Sequence, residues 1–344
     1  MLPPLLAVED LHVLFRTPAG VVHAVNGVSF ELAQGEALGL VGESGCGKSV
    51  TALSIVRLLP MPPAEITRGS VRFNGEELLT APQSRMRQIR GGEIAMVFQD
   101  PMTSLNPVMT VGSQIAEALL LHRTRSRKEA WALAVEALER VHIPDAAHRA
   151  RDYPHTFSGG MRQRVMLAMA VASRPRLLIA DEPTTALDVT LQAEILELLQ
   201  ELRKEYELSI VLITHDLAVV SQFCDTVAVM YAGKIVERAP AEMLFGSPMH
   251  PYTVGLLESL PEAAFRRGGM GSKGARRMSS IPGAPPDCTR IPPGCAFHPR
   301  CRHVMDVCRS SEPPAFQTAP KRFVRCWLYA PESEGQNVCG EASV

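Results

Sequence analysis

The feature that most constrains this chain is a glycine-rich loop that follows an apolar run. Residues 37–41 read Ala-Leu-Gly-Leu-Val, which is typical of a buried strand, and residues 42–49 match the pattern Gly-x-x-x-x-Gly-Lys-Ser. Glycines let successive backbone N–H groups converge on phosphate oxygens, and the helix that follows adds the positive end of its dipole. We therefore predict a nucleotide-phosphate site formed by Gly42, Ser44, Gly45, Cys46, Gly47, Lys48, Ser49 and Val50.

Two carboxylates follow a second apolar run. Residues 177–180 read Leu-Leu-Ile-Ala, as expected for a buried parallel strand, and Asp181 and Glu182 come directly before a proline that ends the strand. We predict that Asp181 and the Ser49 hydroxyl bind Mg²⁺. Glu182 is predicted to activate the water molecule that attacks the γ-phosphate of ATP.

Two further side chains are predicted to contact the γ-phosphate. Lys48 lies at the end of the loop motif, from which its ammonium can reach the β- and γ-phosphates as a point charge. His215 follows the next predicted strand along the chain, whose apolar residues are 210–213. A histidine at a strand end is more often a structural group than a catalytic one, but the neighbouring acidic strand end favours a catalytic role here.

The order of the later motifs resembles that of the nucleotide-binding subunits of ATP-binding-cassette (ABC) importers. Residues 158–163 read Ser-Gly-Gly-Met-Arg-Gln and resemble the signature motif of that family. The resemblance implies that Ser158, Gly159 and Gly160 lie at a helix start and cap the γ-phosphate of a nucleotide that the opposite subunit holds. A nucleotide site shared between two cassettes is therefore expected.

The same resemblance assigns three more positions. Residues 186–188 read Ala-Leu-Asp and resemble the D-loop, and Gln99 resembles the Q-loop residue that contacts both Mg²⁺ and the transporter interface. Phe15 lies where the family places an aromatic ring that stacks on adenine. An ordinary strand aromatic remains the alternative interpretation of Phe15.

The sequence predicts an α/β fold, that of a cassette ATPase with a RecA-like parallel-sheet core, an antiparallel β subdomain and a helical subdomain. Short β patterns and a βα pattern occupy residues 7–100, and apolar positions near a 3.6-residue spacing follow at about 105–165. Residues 166–240 return to alternating strands and helices, which implies a doubly wound sheet. We place the cassette at residues 1–245.

Composition and charge narrow the function classes. The 344 residues carry a net charge of −1, which gives no electrostatic footprint for a polyanion, and the apolar runs stop well short of the ~18 residues of a transmembrane helix. Cassette ATPases that act on DNA or ribosomes usually carry a long coiled coil or two cassettes. This sequence has no sustained heptad pattern and one copy of each motif, so transport is favoured and no nucleic-acid partner is expected.

Residues 246–280 resemble the extension of the oligopeptide and dipeptide importer ATPases. The resemblance rests on His-Pro-Tyr-Thr at 250–253, on Gln-Asp-Pro-Met-Thr-Ser-Leu-Asn-Pro at 99–107 and on Tyr-Ala-Gly at 231–233. Residues 266–279 are basic and rich in glycine, which is typical of a solvated flexible linker. The extension thus points to one subfamily of importers.

A small, irregular, cysteine-rich tail is predicted at residues 281–330. Five of the eight cysteines lie between 288 and 326, in a proline-rich segment too poor in apolar residues to form its own core. A metal site would stabilise such a segment. The paired Cys-x₂₋₄-Cys knuckles of structural zinc are absent, and the wider spacing suits a larger [4Fe–4S] cluster.

The resemblance also implies the ligands of that cluster. Several of the peptide-importer ATPases carry such a cluster in this tail, and the family pattern points to Cys295, Cys301, Cys308 and Cys326, with Cys288 as an extra thiol. Because the cluster ligands lie outside the catalytic motifs, we expect the cluster to have a structural or docking role. ATP binding is then expected to survive loss of the cluster.

Together these resemblances imply the ATP-binding and ATP-hydrolysing subunit of an oligopeptide or dipeptide importer. The expected partners are a second cassette ATPase in a heterodimer, two membrane permease subunits and, indirectly, an extracytoplasmic solute-binding protein. The expected location is the cytoplasmic face of the inner or plasma membrane, as a peripheral subunit. Nickel, glutathione or another small solute is the alternative cargo, and a non-transport cassette ATPase is the less favoured alternative function.

Overall fold

The computed structural model describes residues 3–98, 104–184, 188–259 and 281–331. Their strands are β1 (Leu6–Thr17), β2 (Gly20–Leu32), β3 (Ala37–Val41), β4 (Ala64–Phe73), β5 (Glu76–Glu77), β6 (Ile94–Val97), β7 (Leu177–Asp181), β8 (Ser209–Thr214), β9 (Thr226–Tyr231), β10 (Lys234–Pro240), β11 (Phe316–Ala319) and β12 (Arg322–Val324).

The helices of these residues lie between the strands. They are α1 (Lys48–Ile55), α2 (Gln83–Gly92), α3 (Val111–His122), α4 (Arg127–Arg140), α5 (Ala146–Arg149), α6 (Gly159–Val171), α7 (Val189–Tyr206), α8 (Leu217–Phe223), α9 (Ala241–Gly246), α10 (Pro251–Glu258) and α11 (Asp306–Ser310). In this part of the chain, no helix combines the length and the apolar character that a bilayer crossing requires.

The central sheet has eight strands in the order β11-β12-β10-β9-β3-β8-β7-β6. Strands β9, β3, β8, β7 and β6 pair in parallel, whereas β10, β12 and β11 continue the sheet antiparallel. Strands β3, β7 and β8 are buried along their whole length, as expected for parallel strands that are covered on both faces. This is the predicted RecA-like core.

A second sheet has the order β2-β1-β4-β5 and is antiparallel throughout. Its apolar side chains join Leu38 and Leu40 of β3 in one core, whereas Ala37 and Val41 of the same strand join a second core with the helices of residues 111–244. Alternate side chains of β3 therefore enter different cores, as the two-residue period of a strand requires.

The predicted helical subdomain is formed by α3, α4, α5 and α6. Helix starts are capped by the side chains of Thr110, Ser126 and Ser158, each of which accepts a hydrogen bond from a backbone N–H in the first turn. Helices α3, α4 and α6 pack against one another, and α6 also contacts β6 of the central sheet. The last helix of this region thus connects it to the core.

The cysteine-rich tail is only partly irregular. Strand β12 pairs with β10, and β11 pairs with β12, so the tail adds two strands to the edge of the central sheet. A buried ion pair between Glu237 of β10 and Arg322 of β12 joins them, with Arg322 Nη2 3.3 Å from Glu237 Oε1. Phe297 of the tail is also buried in one of the two cores. The sequence did not predict this continuity with the sheet.

Candidate nucleotide site

The phosphate loop lies at the carboxyl edge of the central sheet. Strand β3 pairs with both β8 and β9, and the loop connects its end to the start of α1. Gly42 and Gly47 have positive φ angles of 155° and 104°, and a Cβ atom at either would lie 2.2 Å from a backbone oxygen. Only glycine fits at these two positions because neighbouring backbone is so close.

Lys48 folds back across the loop. Its Nζ donates to the carbonyl oxygens of Gly42, at 2.8 Å, and Glu43, at 3.0 Å, and the side chain is buried. The ammonium therefore lies against the loop backbone, and Lys48 is the first residue of α1. A positive charge at a helix N-terminus with free N–H groups is suited to binding phosphate.

The side chains of Ser49 and Asp181 meet at this edge of the sheet. Ser49 Oγ donates a hydrogen bond to Asp181 Oδ1 at 3.1 Å, although the two residues come from α1 and β7. Burial raises the pKa of the Asp181 carboxyl, the Ser49 hydrogen bond opposes this, and the charge of Glu182 adds to it. A hydroxyl and a carboxylate are hard oxygen donors of the kind that Mg²⁺ prefers.

Glu182 has a backbone that few residues other than glycine adopt. Its φ angle is 48°, and its N–H donates to the Ile213 carbonyl of the neighbouring β8 at 2.9 Å. A residue in this region costs about 1–3 kcal/mol, and such residues cluster at functional sites. Its carboxylate Oε1 lies 3.4 Å from His215 Nδ1, so the structure brings these two predicted side chains together.

The remaining loop residues contribute in different ways. Ser44 and Gly45 are exposed, and Val50 is half-buried in α1. The Cys46 thiol is buried with its Sγ 3.7 Å from Lys48 Nζ, and burial raises its pKa. Since that thiol is directed away from solvent, only the Cys46 backbone can contact a phosphate.

Other predicted residues lie outside the phosphate loop and the ends of β7 and β8. Phe15 is half-buried in β1, opposite Val22 and Ala64. Gly159 and Gly160 form the first turn of α6, and the Ser158 hydroxyl caps that helix by accepting from the Met161 N–H at 3.3 Å. The nucleotide roles of Phe15, Ser158, Gly159 and Gly160 stay predictions. The predicted residues Gln99, Ala186 and Leu187 lie outside the described residues, whereas Asp188 caps α7.

The cysteine-rich tail contacts the phosphate loop through residues other than the four predicted cluster ligands. Arg300 makes a two-point ion pair with Glu43, and the Tyr252 hydroxyl accepts a hydrogen bond from the Glu43 N–H at 2.9 Å. The Cys288 carbonyl accepts from the His23 N–H. Sequence reasoning missed Glu43 and Arg300 because 257 positions separate them and no local motif links them.

Four tail cysteines lie around one small cavity. Cys295, Cys301, Cys308 and Cys326 line a space of about 10 Å³, together with side chains such as His250. Burial raises the pKa of Cys295 to about 11 and that of Cys326 to about 12. Within the described ranges, no three His, Cys, Asp or Glu side chains are grouped in a way that would hold a metal ion.

A wide groove opens between the core and the helical subdomain. Its volume is about 660 Å³, and its lining includes apolar side chains, among them Leu58, Met96, Phe98, Leu121, Met166 and Met169. Three of these, Leu58, Phe98 and Leu121, are exposed large hydrophobic residues. The groove adjoins Phe98, the last described residue before Gln99.

This fold and this site define the class. Residues 25–185 match the family model described as ABC transporter, and residues 236–308 match the model for the oligopeptide/dipeptide transporter C-terminal region. A solved structure of the dimeric ATP-binding cassette MJ0796 in a post-hydrolysis state, with ADP and phosphate bound, has a TM-score of 0.61 and 26% identity. The match covers 69% of this chain and 98% of the MJ0796 chain. The chain is thus an ATPase of the ABC class.

Similar proteins narrow the class further. The oligopeptide transport ATP-binding protein OppD of Bacillus subtilis is 50% identical over 96% of this chain and 90% of its own length. OppD of Escherichia coli is 50% identical over 94% of this chain and 93% of its own length. The dipeptide transport ATP-binding protein DppD of Bacillus subtilis is 49% identical over 98% of this chain and 98% of its own length. The chain belongs to this family of oligopeptide and dipeptide transport ATP-binding proteins.

Proposed function

We propose that this chain is the ATP-hydrolysing subunit of a membrane importer of oligopeptides or dipeptides. The observation that carries the ATPase site is the hydrogen bond between Ser49 and Asp181, which joins the phosphate loop to the acidic strand end beside Glu182. The solute class is supported by relatives that match nearly the whole chain and are oligopeptide or dipeptide transport ATP-binding proteins.

In this proposal the loop binds the phosphates of ATP. The backbone N–H groups of Gly42, Ser44, Gly45, Cys46, Gly47, Lys48, Ser49 and Val50 surround the phosphates. Lys48 binds the β- and γ-phosphate oxygens. Ser49 and Asp181, with Gln99, hold Mg²⁺, which neutralises phosphate charge when bound. Phe15 stacks on adenine.

Glu182 and His215 perform the hydrolytic step. Glu182 accepts a proton from the attacking water as the water oxygen bonds to the γ-phosphorus. The bond between the γ-phosphorus and the oxygen that bridges it to the β-phosphate then breaks, which releases ADP. His215 contacts the γ-phosphate and, through its 3.4 Å approach, orients the Glu182 carboxylate. The buried environment of Glu182, which is 15% exposed against 59% for His215, limits competing water.

We infer that the complete site needs a second, similar cassette, in a heterodimer. Ser158, Gly159 and Gly160 start α6 in the helical subdomain, and there they cap the γ-phosphate held by the partner's loop. The solved dimeric structure of the cassette MJ0796 supports the pairing of two cassettes.

Two permease subunits are the proposed membrane partners. Their docking site on this chain is the groove beside Phe98, whose exposed apolar side chains suit a partner helix, and Gln99 would link that groove to the nucleotide. An extracytoplasmic binding protein would deliver the peptide to the permeases. This chain would then act as a peripheral subunit on the cytoplasmic face of the membrane.

We also propose that the tail holds a [4Fe–4S] cluster. The support is the donor set, because Cys295, Cys301, Cys308 and Cys326 line one cavity and four thiolates are the usual ligands of such a cluster. The thiols must lose their protons to bind iron. The proposed division of the chain follows: a cassette at 1–245, an extension and linker at 246–280 and the cluster tail at 281–330.

Uptake of a labelled dipeptide and a labelled pentapeptide tests the function in cells that lack the native gene. Expression of this chain with its partner subunits should restore uptake, whereas the Lys48→Ala variant should not. Uptake of ⁶³Ni²⁺ by the same cells serves as the control. Restoration of nickel uptake without peptide uptake would contradict the proposed solute class.

A further inference from the structure

One arginine of the tail reaches directly into the phosphate loop. Arg300 Nη1 lies 2.7 Å from Glu43 Oε2, and Arg300 Nη2 lies 3.0 Å from Glu43 Oε1, so the guanidinium binds both carboxylate oxygens. The Arg300 side chain is 5% exposed and that of Glu43 is 26% exposed. Bidentate pairs shielded in this way have a fixed geometry, unlike ion pairs on an open surface.

Arg300 is itself fixed by contacts to the tail and the sheet. Its Nε donates to the Pro282 carbonyl at 2.9 Å, and its Nη1 also lies 3.4 Å from the hydroxyl of Tyr231 in β9. The guanidinium carbon is 5.8 Å from the centre of the Tyr231 ring and 6.0 Å from that of Phe297. The hydrogen bonds to Glu43, followed by those to Tyr231, raise the pKa of Arg300 despite its burial. The charged side chain is therefore held in one orientation.

Each polar group of Glu43 has a partner from a different part of the molecule. The N–H donates to the Tyr252 hydroxyl of α10, the carbonyl accepts from Lys48 Nζ at 3.0 Å, and the carboxylate binds Arg300. Glu43 is the residue between Gly42 and Ser44, at the start of the loop. Fixing all three groups fixes the direction of the peptide planes on both sides of Glu43.

A second contact joins the tail to the same loop. Cys288 Sγ lies 3.7 Å from the Gly45 carbonyl, and the Cys288 carbonyl accepts from the His23 N–H at 2.9 Å. The tail therefore lies along the loop at two of its residues, Glu43 and Gly45. These contacts involve neither the proposed cluster ligands nor the signature residues.

We propose that Arg300 is a positioning residue for ATP: through Glu43 it holds the phosphate loop in its phosphate-binding form, and the tail thereby sets the affinity for ATP. The physical reason is preorganisation. A loop already held in the binding conformation loses less conformational freedom when the phosphates bind. The inference rests on the proposed role of the loop as the ATP site.

Binding of N-methylanthraniloyl-ATP with Mg²⁺ to the full chain tests the inference by fluorescence titration. Arg300→Gln should weaken ATP binding about 5- to 30-fold, because the loop loses one strong interaction and keeps its contacts to Tyr252 and Lys48. Glu43→Gln should weaken it similarly. The double variant should bind no more weakly than either single variant, because both changes remove one shared interaction. In the assembled importer, the KM for ATP should rise in Arg300→Gln while kcat is retained.

The matched control is Arg302→Gln, which removes a neighbouring arginine whose Nη1 lies 3.7 Å from Oε2 of Glu258 in α10. This control should change affinity by less than about twofold, because the contact is long and the Arg302 side chain is 61% exposed. Unchanged affinity in both Arg300→Gln and Glu43→Gln, or losses that add in the double variant, would overturn the inference. If Arg300→Gln does not fold in a thermal melt, Glu43→Gln decides, because its change leaves the tail sequence intact.

Lys48→Ala separates this inference from the proposed site. If Lys48→Ala lowers the affinity and Arg300→Gln and Glu43→Gln do not, the ATP site stands and the positioning role fails. If Lys48→Ala leaves the affinity unchanged, the loop is not the ATP site, and both proposals fail.

Discussion

The buried ion pair between Glu237 and Arg322 gives the sharpest prediction about how the tail is attached. The Glu237 side chain is fully buried, at 0% exposure, and its carboxylate accepts hydrogen bonds from the N–H groups of Met249 and His250 as well as from Arg322. Arg322 also donates to Ser247. One carboxylate thus joins β10, β12 and the segment that leads into α10.

Arg322→Met removes the positive charge but leaves the carboxylate buried. Breaking a buried pair in this way costs about 3–5 kcal/mol, because the remaining charge has lost its partner. At about 2–4 °C per kcal/mol for domains of roughly 200 residues, the melting temperature should fall by about 6–20 °C. Differential scanning calorimetry of the full chain measures this change.

A matched control comes from the same strand and the same tail. Lys234 of β10 pairs with Glu312 at 2.6 Å, but both side chains are partly exposed, so Lys234→Met should cost less than about 1 kcal/mol. If Arg322→Met lowers the melting temperature no more than Lys234→Met does, the tail is not part of the central sheet and the reasoning is refuted.

Three further predictions concern the nucleotide, the assembly and the tail. Lys48→Ala removes charged contacts of about 1.5–3 kcal/mol from the phosphates, so ATP binding measured by equilibrium dialysis should weaken about 10- to 150-fold; unchanged binding would contradict this. The purified chain should hydrolyse ATP slowly and the complex with its partner cassette and permeases much faster, whereas full activity from a monomer would refute the shared site. Anaerobically purified protein should be brown. Each serine variant of the proposed ligands should lose this colour, whereas Cys288→Ser should keep it. Stoichiometric zinc without iron in metal analysis would contradict the proposed cluster. The serine variants are Cys295→Ser, Cys301→Ser, Cys308→Ser and Cys326→Ser.

The core of the fold could be predicted because its signals are local. Residues 37–41 and 177–180 are apolar runs that end in a loop motif and in two acids, and parallel strands bring such ends to one edge. The contact between Ser49 and Asp181 follows from that rule, since Asp181 ends β7 and Ser49 lies at the start of the helix that follows β3 and the loop. The order of β3, β8 and β7 in the sheet was not needed to reach it.

The attachment of the tail could not be predicted because its contacts are distant in sequence. Glu43 occupies a variable position of the loop pattern, and its partner Arg300 lies in a proline-rich segment with no periodicity. Strands β11 and β12 are four and three residues long, too short for an alternating pattern to stand out. Their place is determined by pairing with β10 and by the Glu237 carboxylate.

The central claim is that Glu182 activates water for ATP hydrolysis that drives import. ATP turnover by the Glu182→Gln variant, assembled with its partner subunits, tests it most directly when nucleotide binding is measured on the same sample. The amide keeps the size of the side chain but cannot accept the proton, so turnover should fall by about 10²- to 10⁴-fold while ATP remains bound. Turnover at the wild-type rate with ATP bound would contradict the claim.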